Sequence, residues 1–330
     1  MRGTEVDTEV IENAVRVACR APSLYNSQPW HWVIEDDSVR LFLDKDRVMY
    51  STDHSGREAL LGCGAVLDHF RVAMAAAGWK ANVDRYPNPN GQLHLASIDF
   101  SPMDYVTDGH RIRADAILLR RTDRLPFAPP ADWDTMEAHL RRTVTSDAVR
   151  LDVVADALRP ELADASRLTE SLRFYDSYYH DEMQWWTPPF AATEGIPRGT
   201  LPTAAETDRV DIGRSFPVAH DERDRRRAFG KDRSKVVVLS TYDDDRGSVL
   251  RCGEMLSAVL LDATIAGLAT CPLTHVTELR ASRDIVASLI DQETTPQVLI
   301  RVGSAPAKED KPPATPRRPM AEVLEIKRQH

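Results

Sequence analysis

Apolar residues at positions 10, 11, 14, 15 and 18 recur at helical spacing and predict a first helix over 10–19, which Pro22 stops. Residues 30–35 and 39–44 alternate as two strands around a turn at Asp36-Asp37, and 93–102 reads as a further strand. Residues 56–78 are apolar on every turn and close on Gly78, which predicts a long buried helix. Farther along, 115–121 reads as a helix or turn, 136–142 and 160–174 as helices, and 151–155 as a strand between those two. A strand over 235–241, a second long helix over 248–267 and a strand from 297 complete a mixed α+β pattern.

Residues 175–235 break this pattern. The stretch is rich in Pro, Gly, Asp and Arg, and it scatters Tyr178, Tyr179, Trp185, Trp186, Phe190 and Phe216 along its length. So many aromatics do not suit a solvated linker, so the segment must cover something apolar, either as a lid over a site or as padding elsewhere. Nothing comparable lies between Leu41 and Gly56, the place taken as its match in the first part of the chain.

Two segments share one template at an offset of 189 residues. Leu61 matches Leu250, Cys63 matches Cys252, Gly64 matches Gly253, Leu67 matches Leu256, and Ala77-Gly78 matches Ala266-Gly267. Each long helix is followed by a β-like run that closes on a small residue and Pro. The match spans helix, glycine and strand together, which favours duplication over a chance likeness of two Ala- and Leu-rich helices. Gly62-Cys63-Gly64 is no dinucleotide fingerprint, because Leu67 stands where the third glycine is needed and no strand precedes it.

Composition narrows the function classes. A chain of 330 residues suits two fused units, and a formal net charge of -9 opposes a phosphate backbone, which argues against nucleic acid. Any anionic ligand must be gripped by local arginines. The start of the chain lacks an apolar signal core, and no apolar run reads as a membrane span. Four cysteines without CxxC spacing point to a reducing, cytoplasmic setting. No His, Asp or Glu cluster has metal-ligand spacing, and no GxSxG or P-loop is present.

The run ACRAPSLYNSQPW ends the first helix and precedes the first strand. Turn chemistry accounts for part of it: Pro22 stops the helix, Ser23 and Asn26 offer local hydrogen bonds, and Pro29 restrains Gln28. The run also resembles the APSxxNxQPW signature of the nitroreductase flavoproteins. Arg120-Arg121-Thr122-Asp123-Arg124 resembles that family's RxSxR/K element, and GLATCPL at 267–273 its loop beside the flavin. Val302-Gly303 followed by Arg317-Arg318-Pro319 resembles its closing strand and basic tail. The set as a whole is most similar to the mycobacterial Acg group of nitroreductase-like proteins.

The resemblance implies a nitroreductase fold, a three-layer α/β/α sandwich, duplicated within one chain as a pseudo-dimer: a first half over 1–112 and a second over 113–330 that carries the 175–235 insertion. It implies one FMN per chain, with NAD(P)H as electron donor. Site residues carried over are Arg20, Pro22, Ser23 and Asn26 from the first half, and Arg120, Arg121, Thr122, Arg124, Pro272, Leu273, Thr274, Arg317 and Arg318 from the second. In the family the RxSxR element precedes APSxxN; here the order is reversed, as expected if the first half plays the partner subunit. The second site then lacks both elements, so a monomer holding one cofactor follows. Arginines would grip the phosphate, Ser23 and Asn26 the pyrimidine or ribityl edge, and the Thr274 amide N5. Thr122 keeps the hydroxyl of the usual Ser, Leu24 loses one, and Asp123 must point away from the phosphate or pair with an arginine. Trp30 and Trp32 are expected in the core, and Cys271 as a small buried hydrophobe in place of a redox thiol. His275 either caps the site or lies exposed on its loop. If active, the protein is an FMN-dependent oxidoreductase; the alternative is a weakly active FMN storage protein with the flavin under the 175–235 lid.

Overall fold

The computed structural model describes residues 5–35, 38–188, 194–217, 224–290, 293–306 and 314–327; the Asp36-Asp37 turn and Phe190 lie outside them. In chain order the elements are α1 (Thr8–Ala18), β1 (Trp30–Glu35), β2 (Ser38–Leu43), α2 (Arg57–Ala76), β3 (Trp79–Arg85), β4 (His94–Pro102), α3 (Asp108–Leu119), α4 (Trp133–Thr143) and β5 (Val149–Val153). There follow α5 (Arg159–Arg173), α6 (Ser177–Trp185), α7 (Ala204–Thr207), β6 (Lys235–Thr241), α8 (Arg246–Ile265), β7 (Ala269–Leu273), α9 (His275–Glu278), α10 (Arg280–Ser288), β8 (Thr295–Gly303), α11 (Met320–Val323) and β9 (Leu324–Lys327).

The strands form two sheets that share a four-stranded antiparallel core. The first runs β3-β4-β2-β1 with β9 added at its edge, and the second runs β7-β8-β6-β5, so each of β1 to β4 has a counterpart four strands later in the other sheet. Between the sheets lie α2 and α8, buried over most of their length. They cross where the repeat places its glycines. A Cβ on Gly64 would sit 2.0 Å from the Leu250 carbonyl oxygen, and one on Gly253 would sit 2.2 Å from that of Leu61. Both contacts exchange under the 189-residue offset, as they do across a twofold interface. Asp68 and Ser257, also 189 apart, meet one another at 2.6 Å. No side chain larger than hydrogen fits at this crossing, which is why the glycines recur.

Alternation decides what each sheet covers. Val237, Leu239, Val298 and Ile300 face the central helices, while Val236, Val238 and Leu299 face the other way into a second cluster with Leu162 of α5 and Val286 of α10. The second sheet therefore has helices on both faces, as the three-layer expectation requires. Among the described residues the first has them on one face, because only two residues separate β1 from β2, where β5 and β6 are separated by residues 154–234. That corrects the place of the insertion: its match in the first half is the β1–β2 connection, not the stretch from Leu41 to Gly56.

Two details bear on the division into halves, and one further expectation is revised. The 112/113 boundary falls inside α3, which starts at Asp108 because Thr107 and His110 form a reciprocal cap. The chain ends by returning to the first half, with β9 pairing parallel to β1. Helix α2 does have the length and apolar composition of a membrane-crossing helix, and 83% of that window is buried within the fold. Trp30 and Trp32 are core residues, fully buried.

Candidate functional site

A cavity of about 460 Å³ opens where the two halves meet, a size usual for small-molecule sites. Its walls bring together Arg20, Pro22, Ser23 and Asn26, then Arg120, Arg121, Thr122 and Arg124, then Pro272, Leu273 and Thr274, and Arg317. These segments are far apart in sequence and meet because α2 and α8 cross and because the C-terminal arm folds back over α1.

The 23–28 loop is held in a conformation that costs energy. Tyr25, Asn26 and Gln28 all have positive φ, at 49°, 59° and 53°. Left-handed non-glycine residues of this kind are each strained by about 1–3 kcal/mol and persist only where surroundings fix them. Here Gln28 N donates to Ser23 Oγ at 3.0 Å, and Asn26 Nδ2 donates to Gly195 O at 3.1 Å and Pro316 O at 3.0 Å. Both Asn26 amide hydrogens are therefore spent on the insertion and the C-terminal arm, which leaves Oδ1 as its free group. Gly62 of α2 lets the loop approach, since a Cβ there would lie 3.2 Å from Ser23 Cβ.

At one end of the cavity stands a cluster of arginines that, among the described residues, pair with no carboxylate on the cavity side. Arg317 Nε donates to Cys19 O at 2.7 Å and its Nη2 to Arg20 O at 3.0 Å, capping the carbonyl end of α1. Arg20 Nη1 donates to Thr315 O at 3.0 Å, and Arg120 Nη2 donates to Arg20 O at 3.1 Å. Arg120 Nε and Nη1 are buried without a hydrogen-bond partner among the described residues, as is Arg121 Nε. Burial and mutual repulsion push these guanidinium groups down, Arg120 to about 10 and Arg20 and Arg317 also below their ordinary value. Such an arrangement is stabilised by a dianion brought into its midst.

Arg318 departs from expectation. It does not line the cavity: its guanidinium donates to Gln28 O at 3.1 Å, pairs with Asp44 at 3.2 Å and reaches Glu322 O at 3.1 Å. It fastens the C-terminal arm to the first sheet. Asp123, by contrast, pairs with Arg226 at 2.5 Å, as an acid near that end must. Arg124 lies 5.1 Å over the Phe216 ring. The ladder of β7 ends at Leu273, so the Thr274 amide is not committed to the sheet. His275 is not an exposed loop residue: it is fully buried, lies in the cavity wall and bonds Ser166 Oγ through Nε2 at 2.8 Å. Burial drives its pKa well down. Cys271 is buried and its thiol is pushed up by desolvation, which suits an inert hydrophobe.

The insertion reaches this cavity. Tyr179, Met183, Trp186, Ile196 and Leu201 pack on Tyr25 and Met49, and Phe216 meets the Tyr25 ring edge-on with centroids 6.3 Å apart. Tyr178 and Trp185 instead face solvent. Sequence reasoning missed Glu58, Arg214 and Gly62 among the lining residues; only Gly62 left a trace, in the Gly-Cys-Gly run.

Two sheets of like core topology thus clasp a pair of crossed helices, with a basic cavity beside the crossing. The protein named "Putative NAD(P)H nitroreductase acg" from Mycobacterium tuberculosis strain H37Rv is 70% identical over 327 residues, covering 99% of this chain and 98% of that one. An uncharacterized protein of the same organism is 53% identical over 322 residues, covering 96% and 93%. The chain belongs to this acg family of nitroreductases. No family model matches it. A crystal structure described as a "putative nitroreductase" from Anabaena variabilis aligns with a TM-score of 0.49 at 9% identity, over 90% of this chain and 73% of that one.

Proposed function

We propose that the cavity binds one FMN per chain and that the protein is an NAD(P)H-dependent oxidoreductase of nitroreductase type. The observation that carries this reading is Arg120, with two buried guanidinium nitrogens unpartnered among Arg20, Arg121 and Arg317. A phosphate monoester would meet those donors and offset their repulsion. The residues present fit the group. Arg20, Arg120, Arg121 and Arg317 would hold the phosphate, Thr122 and Arg124 the ribityl chain and ring edge, and Ser23 and Asn26 Oδ1 the pyrimidine side. Pro272, Leu273 and the Thr274 amide would face the flavin's reactive edge. When bound, the flavin supplies hydride transfer between nicotinamide and acceptor. The chain's own work is to bind, orient and exclude water.

One site per chain is supported by the repeat itself. Arg251 stands where Gly62 stands in the first half, and residues 144–148 replace the strained loop. A long side chain at 251 would block the close approach that Gly62 permits. In this reading the 189-residue offset marks a duplication, and one chain supplies both sides of the cleft.

A second reading has its own support. Tyr179, Trp186 and Leu201 seal the insertion onto the 23–28 loop, which favours slow exchange and a protein that stores FMN more than it turns over. Stopped-flow reduction of the FMN-loaded protein by NADPH separates the two. Fast reduction followed by reoxidation with a nitroaromatic supports the enzyme; reduction slower than FMN release supports storage.

A further inference from the structure

Arg214 belongs to the insertion, yet its guanidinium reaches both loops that wall the cavity. Nη1 donates to Tyr25 Oη at 3.1 Å in the strained loop of the first half and to Tyr179 Oη at 3.0 Å in α6. Nη2 donates to Thr274 Oγ1 at 3.4 Å, and the same fork pairs with Glu278 of α9. The guanidinium also lies 5.1 Å over the Tyr25 ring. Its side chain is 5% exposed and that of Glu278 is sealed.

Neighbouring contacts reinforce the junction. Ser166 Oγ donates to Gly213 O at 3.4 Å and bonds His275 Nε2 at 2.8 Å, so residues 213 and 214 grip the 274–278 turn from two sides. Arg173 stands 3.9 Å from Glu278, and Glu58 and Glu170 also face it. Other fastenings of the insertion reach one of the two loops or neither: Asn26 Nδ2 donates to Gly195 O at 3.1 Å on the 23–28 side, and Arg159 pairs with Asp211 at 2.8 Å away from both. A buried fork bonded to a carboxylate and two phenols is costly to break, because the partner left behind is an unpaired buried charge. A rim ion pair has no such leverage.

We infer that Arg214 is a positioning residue that ties the insertion across both cavity-lining loops, so that the cavity exchanges its ligand only when this fork lets go. The inference rests on the flavin reading for its ligand and deepens it by naming the group that sets exchange. Tyr25 and Thr274 approach the ligand from opposite halves, and a single side chain holds them in register.

The test compares the full-length chain with Arg214→Gln, Arg214→Lys and Asp211→Asn. After loading with FMN, release into an excess of a flavin-scavenging apoprotein is followed by fluorescence. Arg214→Gln should release FMN at least about tenfold faster, the equivalent of 1.4 kcal/mol. Arg214→Lys should fall between it and the wild type, and Asp211→Asn, which breaks only the partly exposed pair with Arg159, should stay within about twofold of the wild type. Hydrogen exchange on the flavin-free proteins gives a readout independent of loading. Arg214→Gln should raise exchange at 23–28 and 274–278 along with 196–217, and Asp211→Asn should leave the two loops protected. Wild-type release rates in Arg214→Gln, or exchange that rises in 196–217 alone, would overturn the inference. If the wild type takes up no FMN, the flavin reading fails, and the exchange comparison still decides the role of Arg214.

Discussion

Replacing Arg120 with Met should weaken FMN binding and stabilise the flavin-free protein at once. The guanidinium offers two buried nitrogens without partners. Charge-assisted hydrogen bonds are worth about 1.5–3 kcal/mol each, so losing two costs roughly 3–6 kcal/mol of affinity, on the order of a hundred- to ten-thousandfold in Kd. The opposite sign in the free protein comes from the same burial. A guanidinium held by burial at about 10, well below its ordinary value, carries a native-state penalty of about 3 kcal/mol. Removing it also forfeits the bond to Arg20 O, worth about 1 kcal/mol. That carbonyl keeps Arg317 Nη2 at 3.0 Å and is not orphaned. The net expectation is an apo protein more stable by about 2 kcal/mol. Urea unfolding of the apo forms and fluorescence titration with FMN and riboflavin measure both effects. Riboflavin, which has no phosphate, should bind variant and wild type alike. An apo variant less stable than the wild type, with FMN affinity unchanged, would refute the reasoning and make Arg120 a structural residue.

Two other outcomes follow from the helix crossing. Gly64→Ala should destabilise the fold by at least about 3 kcal/mol in urea unfolding, since its Cβ would sit 2.0 Å from Leu250 O and 2.8 Å from Gly253 Cα; a loss under about 1 kcal/mol would mean the helices can part freely. Asp68 concerns pH. Burial raises its carboxyl from 3.8 to about 6, so the fold favours the neutral form. The native state then binds this proton more tightly than the unfolded chain. The stabilisation is complete below about pH 4 and is lost as pH rises through about 6. Relative to Asp68→Asn, the wild type should lose up to about 3 kcal/mol over that window, measured by denaturant unfolding at each pH.

The parts of this molecule legible in the sequence are those set by local rules or by the repeat. Helical spacing found α1, α2, α5 and α8 within a few residues, and alternation found β1, β2 and β6. The glycines at 64 and 253 announced a close contact because no local turn needed them. Twelve of the thirteen proposed site residues line one cavity, since the motif carried them as a set. Long-range partners were not legible. Arg317 and Arg318 are adjacent in the chain, yet one faces the cavity and the other Asp44, a difference made by the direction of the returning arm. Arg214 gave no signal, being one arginine among many in an irregular segment, and only the fold brings it to Tyr25 and Glu278. The start of α3 was missed because a His at the third helical position completes the cap in place of Glu or Gln.

The most direct measurement is the flavin content of the purified chain after saturation with FMN and removal of excess, counted by absorbance of extracted flavin against protein concentration. One FMN per chain, lost from Arg120→Met under the same wash, is the predicted result. Two per chain, or none, would contradict a single cofactor cleft assembled from both halves.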